Sequence, residues 1–436
     1  MGFLRRLLGW GFTGPRKALG WAFVDQGLAS ATNFGLSVLA GRLLGPEGLG
    51  TVFLAFSVYL IVLVLQRSLV TETLLVVTSA LNGEQRARTA GIGLTMSILA
   101  GTVATALVVG LGLIVPGVTG TALLLVAPWL MGSLIQDFWR SLLFRDGRPA
   151  AAAANDGIWL LVMAVAVPLG WILRTEAAVM AVWGLGAWAG AVFGFWQTKL
   201  IPSPVRHSWG WWRANAWPFG RWNAATAIVG PIGSNVEAFV LVGIIGARAL
   251  GGFRAVQSLF APLSVIAPAV GLPGLPAIAR AYSVEFRRAR SLAFRISGIA
   301  VAASCVFFLF LVLGGWRLLP LLFGPSFLRY RDLMLPVAIG QVFAAAGVGF
   351  PLLIKVQQRG RFLLLSRLFV TVAGLGLVAW GAAGYGLEGA VWATAAWALL
   401  TTLTLGLGAL RDPRPRSVRA RQPESMHDPT AATGPD

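Results

Sequence analysis

Stretches of about 20 apolar residues, each closed by charges or by Pro and Gly, recur along the whole of this 436-residue chain. A bilayer core about 30 Å thick takes one helix of roughly that length. In hydrocarbon, moreover, the backbone must satisfy its own hydrogen bonds. The chain is therefore expected to be an all-α integral membrane protein. Composition points the same way: 57% of residues are hydrophobic and 12% charged, against about 25% charged in a soluble domain. Mean hydropathy is +0.76.

The apolar runs predict about twelve spans. Six fall near 21–44, 50–69, 90–113, 120–143, 156–173 and 177–197; six more fall near 222–246, 252–275, 291–314, 333–354, 362–384 and 388–409. Arg and Lys collect in alternate loops. Arg5, Arg6, Arg16 and Lys17 precede the first span, Arg86 and Arg88 follow the second, and Arg280, Arg287, Arg288 and Arg290 follow the eighth. By the positive-inside rule both termini are expected in the cytosol, with the protein in the plasma (inner) membrane. Loop nine runs against the rule, since Arg317, Arg329 and Arg331 fall on the expected outer side.

Short motifs repeat in the same order about 210 residues apart. Gly41–Gly45 is matched with Ala247–Gly251, Arg145–Arg148 with Gln358–Arg361, and Glu176–Val179 with Glu388–Val391. Two parallel six-helix lobes follow. The expected organisation is a cytosolic amphipathic segment (1–20), an N-lobe (21–198), a Trp- and Arg-rich interfacial linker (199–220), a C-lobe (221–410) and a disordered polar tail (411–436).

The formal charge of +19 does not predict nucleic-acid binding, because the basic residues sit at the ends of apolar runs instead of on one solvated face. One cysteine, Cys305, excludes an intrachain disulfide, and two histidines cannot build a His/Cys metal site. No Walker loop or dinucleotide fingerprint is present. No metal, cofactor or catalytic site is expected, so the chain is not read as an enzyme.

Polar groups at membrane depth are costly and therefore informative. Glu237 and Asn235 fall near the middle of the seventh span. Glu237 is a candidate for ion coupling or for meeting a polar substrate, with a structural hydrogen bond as the alternative. Asn33 and Gln341 are candidate substrate contacts or interhelical glue. Arg67, Arg140, Arg221, Arg295 and Arg367 lie in the basic third of their helices. Converging on one vestibule they would attract a diphosphate; separately they would snorkel to lipid headgroups. Asp25, near the start of the first span, is a second ion-coupling candidate. Arg42 and Glu47 bracket Gly45-Pro46 and are expected to pair across that turn.

Three segments then suggest a family. Arg42-Leu43-Leu44-Gly45-Pro46-Glu47-Gly48-Leu49-Gly50 resembles the first-span signature of the polysaccharide-biosynthesis exporters in the multidrug/oligosaccharidyl-lipid/polysaccharide (MOP) superfamily. Ser234-Asn235-Val236-Glu237 is similar to that family's seventh-helix pattern, and Leu321–Phe327 to its outer-loop motif. The resemblance implies a MATE-like fold that rocks between inward-open and outward-open states. It also implies a flippase carrying polyprenyl-diphosphate-linked oligosaccharide from the cytosolic to the outer leaflet. In that picture the arginines hold the diphosphate, and amides and Glu237 meet the sugars. The polyprenyl tail stays in lipid, and an ion gradient (proton or sodium), the membrane potential or substrate consumption outside supplies the energy. Glycan polymerases or glycosyltransferases are the expected partners, beside membrane lipids. The two extra helices of the lipid II flippase branch are missing from the span count, which argues against a peptidoglycan precursor. The rival readings are a cation-coupled multidrug antiporter, a membrane-embedded glycosyltransferase or polymerase, and a transport-inactive scaffold.

Overall fold

The computed structural model describes residues 15–78 and 83–411. Most of the amphipathic segment and all but the first residue of the polar tail lie outside the described residues. Among those described there are helices and turns and no strand.

Among the described residues, eight helical segments are long and apolar enough to cross a bilayer. Two of them are hairpins in one continuous run, because Gly45 (φ 68°) and Gly386 (φ 62°) each break the helical backbone. Those dihedrals lie in a region that essentially only glycine occupies. Two further rods are interrupted by π and 3₁₀ turns, which lowers their continuous length. In chain order the rods are α1 (15–44), α2 (46–77), α3 (Gly83–Ile114), α4 (Gly117–Arg145), α5 (Pro149–Leu173) and α6 (Glu176–Thr198). They continue as α7 (205–245), α8 (247–284), α9 (Phe286–Leu313), α10 (334–356), α11 (360–385) and α12 (387–409). The twelve expected spans are all present. They run longer than expected at their basic ends, α7 by 17 residues, because hydropathy stops at a charge whereas backbone hydrogen bonding does not. The segment expected as a linker is helical from Val205 and continues into α7.

The repeat is real, and its register differs from the motif matches. Gly246 (φ 81°), between α7 and α8, is the counterpart of Gly45; Gly251, the expected partner, is helical. Leu49-Gly50 then falls on Leu250-Gly251. In the second pair of turns Gly147 (φ 69°) matches Gln358 (φ 56°), and the same backbone bonds close both: Arg148 N–H to Leu143 C=O, and Arg359 N–H to Ile354 C=O. Even the side chains agree, Arg148 donating to Gln197 C=O and Arg359 to Gly408 C=O. Short motifs slide by a few residues, whereas positive φ and turn bonds do not. The Glu176–Glu388 pairing holds, each acid following a positive-φ residue, Arg174 or Gly386, by two places.

The lobes meet where α2 and α8 cross. A Cβ on Gly50 would lie 1.8 Å from Ala247 O, and one on Gly251 would lie 1.8 Å from Pro46 O, so each helix presses its glycine against the other's first carbonyl. Glu47 pairs with Arg248 at 3.0 Å across this crossing, its own repeat counterpart 201 residues on. The expected Arg42–Glu47 pair is therefore not formed. Arg42 instead donates to the carbonyls of Leu321 and Leu322 (3.1 Å), because α1 ends pointing at the short helix Leu318–Phe323. The arginines of loop nine are also engaged: Arg317 over Trp316, Arg329 on the Tyr330 hydroxyl and Arg331 on Asp332.

Candidate functional site

Two cavities occupy matching places in the lobes. The N-lobe cavity, of about 210 Å³, is walled by α1, α2, α4 and α5, with Asn33, Tyr59, Arg67, Gln136, Arg140 and Trp159 on its surface. Arg67 grips Asp137 through both carboxylate oxygens, its Nε lying 3.1 and 3.0 Å from them. Its helix passes through a π turn at Arg67–Thr71. Arg140, one turn after Gln136 on α4, donates to Asp25 of α1 (Nε to Oδ2 2.7 Å) and lies 3.6 Å from Asp156 of α5. Gln136 donates to Asp156 (2.6 Å) and Asn155 (3.1 Å), and Asn155 donates to Gly190 C=O and Gln197 of α6. Buried Asp25, Asp137, Asp156, Asn155 and Gln136 thus join five helices. Three carboxylates face two guanidiniums, so the formal charge of the set is −1 when all are ionised.

The C-lobe cavity, of about 550 Å³, is walled by α7, α10, α11 and α12, with Glu237, Arg367, Thr371, Thr394, Trp397 and Thr402 on its surface. Glu237 is buried and accepts from the Thr394 hydroxyl at 2.7 Å. Its second oxygen lies 4.0 Å from Arg254 of α8. The Arg254 guanidinium stacks 4.1 Å over Phe53 of α2, so it stands at the seam between the lobes. It donates to Gln257 at 2.6 Å, while its Nε is buried with no hydrogen-bond partner. Among the described residues no group of three or more His, Cys, Asp or Glu is arranged to hold a metal ion.

In the turn register, Gln136, Asp137, Arg140, Asp156 and Trp159 correspond to Gly347, Val348, Pro351, Arg367 and Val370. All ten line the two cavities. The repeat therefore supplies one cavity twice, with an ionic lining in the first copy and a mostly neutral one in the second.

No protein-family model and no curated protein matches the chain. Solved structures do. The lipid II flippase MurJ in an inward closed conformation superposes with a TM-score of 0.71 at 13% identity, over 91% of this chain and 88% of its own. An inward-facing multidrug resistance MATE family transporter of the MOP superfamily gives 0.65 at 15%, over 89% and 97%. A MOP superfamily transporter from Pyrococcus furiosus, described as having a binding pocket of reversed polarity, gives 0.60 at 16%, over 88% and 92%. The chain has the MOP superfamily fold. Fold likeness at this identity leaves substrate and mechanism to the side chains.

On that MOP fold the expected site residues divide. Arg67, Arg140, Asn33 and Asp25 come together at the N-lobe cavity, Asp25 through Arg140. Glu237 and Arg367 share the C-lobe cavity. Arg221 is exposed with its guanidinium over Trp222, and Arg295 is exposed on α9. Asn235 and Gln341 are half-buried. The five arginines do not converge on one vestibule: Arg67 and Arg140 line the N-lobe cavity and hold carboxylates, Arg367 lines the C-lobe cavity, and Arg221 and Arg295 are exposed. Asp137, Asp156, Gln136, Asn155 and Arg254 were not singled out from the sequence. The i, i+1, i+4 spacing of Gln136, Asp137 and Arg140 in an apolar run was the available signal for one helix face.

Proposed function

We propose that the protein is an alternating-access transporter that flips polyprenyl-diphosphate-linked oligosaccharide from the cytosolic to the outer leaflet of the plasma membrane, with both termini cytosolic. The observation that carries this reading is the C-lobe cavity, whose buried wall residue Glu237 lies 4.0 Å from Arg254 at the seam. Threonine hydroxyls, the Trp397 ring and Arg367 suit a sugar with a nearby anionic group: hydroxyls exchange hydrogen bonds, the ring stacks and the guanidinium takes phosphate oxygens. The unfilled Arg254 Nε–H adds a donor for a diphosphate. Glu237 neutralises Arg254 between cargoes, so cargo binding exchanges one anion for another at the seam. Asp25 and Glu237 are the groups proposed to couple an ion gradient to rocking. In the present conformation the α2–α8 crossing closes the side proposed to face outward.

A second reading, a cation-coupled multidrug antiporter, draws on one specific observation: three buried carboxylates surround the N-lobe cavity. Proteoliposomes decide between them. Purified protein should move a fluorescent polyprenyl-diphosphate disaccharide to the lectin-accessible leaflet, and Arg254→Ala should slow this at least tenfold. Ion-driven uptake of ethidium with no movement of the glycolipid would establish the antiporter instead.

A further inference from the structure

The two copies of the repeat differ at one outer connection. In the N-lobe, α3 and α4 are joined by residues 115–116, whereas the matching helices α9 and α10 are joined by residues 314–333. The longer connection holds the short helix Leu318–Phe323 and a 3₁₀ stretch, Pro325–Leu333. Its buried Phe323, Phe327 and Tyr330 form a row, with successive ring centroids 5.5 and 6.1 Å apart. Each end of the row meets a glycine. A Cβ on Gly41 of α1 would lie 2.5 Å from Phe323, and one on Gly252 of α8 would lie 2.3 Å from Tyr330. The row therefore bridges the lobes beside the α2–α8 crossing, where the Tyr330 hydroxyl donates to Arg248 C=O at 3.4 Å.

Arg42 fastens this bridge. The last carbonyls of a helix have no partner inside it, and Arg42 donates to two of them, Leu321 C=O and Leu322 C=O, the latter at 3.1 Å. A guanidinium spans both with one rigid fork and suits a helix C-terminus. These bonds bring together the first-span signature Arg42–Gly50 and the outer-loop motif Leu321–Phe327. They also tie the lobes, since Arg42 belongs to α1 and the connection is fixed to α9 and α10. Tyr330 and Gly252 lie within one lobe and travel together. Separation of the lobes at this end must therefore pull Arg42 from its carbonyls and draw Phe323 off Gly41.

We infer that the α9–α10 connection is a clasp that holds the outer side shut, with Arg42 as its releasable catch and Tyr330 as its fixed end. The inference rests on the alternating-access reading and not on the identity of the cargo. It assigns a task to a connection that the repeat did not copy: rocking that opens the crossing has to free a C-lobe segment from an N-lobe arginine.

The test uses full-length Cys305→Ser protein in nanodiscs, spin-labelled through Val118→Cys and Tyr385→Cys. Both positions are exposed at the clasp end of the rods, one in each lobe, and dipolar electron spin resonance reads the distance between them with no cargo present. Arg42 is exposed, so Arg42→Ala removes the catch without opening a cavity. It should enlarge the longer-distance population at least threefold. Arg42→Lys, which keeps the charge and loses the fork, should give an intermediate value. Arg317→Ala should match the starting protein, because that guanidinium lies over Trp316 of its own connection. Unchanged distances in Arg42→Ala and Arg42→Lys overturn the inference, and so does equal opening in Arg317→Ala, which would trace the effect to loop charge. A wild type that moves no glycolipid in proteoliposomes counts against the flippase reading alone, since the clasp is read without transport.

Discussion

Arg67 and Arg140 act only with the acids that hold them. Removing one partner of a buried ion pair strands the other, at about 3 to 5 kcal/mol when burial is complete. Arg140 keeps 20% of its side chain exposed, so Asp25→Ala is expected to cost about 3 kcal/mol, the low end of that range. Asp25→Leu with Arg140→Met and Asp156→Asn, which leaves no stranded charge beside Arg140's position, should recover most of it, as read by thermal unfolding in detergent. Equal loss in the Asp25 variant and the combined variant would show that these ion pairs are not the cause. Arg254 differs, because its fork stacks on Phe53 while Nε lacks a partner. Arg254→Lys should fail to restore the transport lost in Arg254→Ala, since an ammonium neither stacks nor bridges in the same way. Glu237 was legible because an isolated acid in an apolar run is conspicuous. Asp137 and Asp156 were not, since the first sits close to Arg140 and the second at an expected span end, where acids are ordinary.

At the scale of the helix, the chain spells out its rods and conceals their crossings. Apolar length predicted all twelve positions, yet nothing in Leu49-Gly50 announces that Gly50 will abut a carbonyl 197 positions away, because that contact depends on how two distant hairpins dock. Gly50→Ala and Gly251→Ala place a methyl 1.8 Å from Ala247 O and Pro46 O. Backbone cannot yield as a side-chain tip does, so α2 and α8 must separate. Spin labels near positions 47 and 248 should show longer distances in either variant, with the population moving toward the state open at this end. Distances matching the wild type would mean that the crossing does not gate. Gly45→Ala and Gly246→Ala should instead cost about 1 to 3 kcal/mol of stability through their backbone dihedrals.

Across the whole molecule, duplication has given one architecture two linings. Asp156 of the N-lobe stands where Arg367 stands in the C-lobe, and Gln136 and Arg140 stand where Gly347 and Pro351 do. The order of the motifs revealed the duplication, but the offset was hidden until turn geometry fixed it, so the exchange of charge between lobes was illegible. A small cavity crossed by interlocked amides and ion pairs resists deformation, whereas a larger one edged with hydroxyls admits a guest. The N-lobe should therefore behave as the rigid partner in rocking and the C-lobe as the cargo holder. Asn155→Ala removes a buried amide that serves Gln136, Gln197 and Gly190 C=O. It should cost about 1 to 3 kcal/mol through unsatisfied neighbours, with flipping per folded molecule nearly unchanged. Arg367→Ala, at a half-buried cavity wall, should leave the unfolding midpoint within about 0.5 kcal/mol of wild type and cut flipping at least tenfold. Parallel unfolding and proteoliposome measurements on the two variants check this division. Arg367→Ala with full transport, or Asn155→Ala with normal stability and lost transport, would reverse the assignment of roles to the lobes.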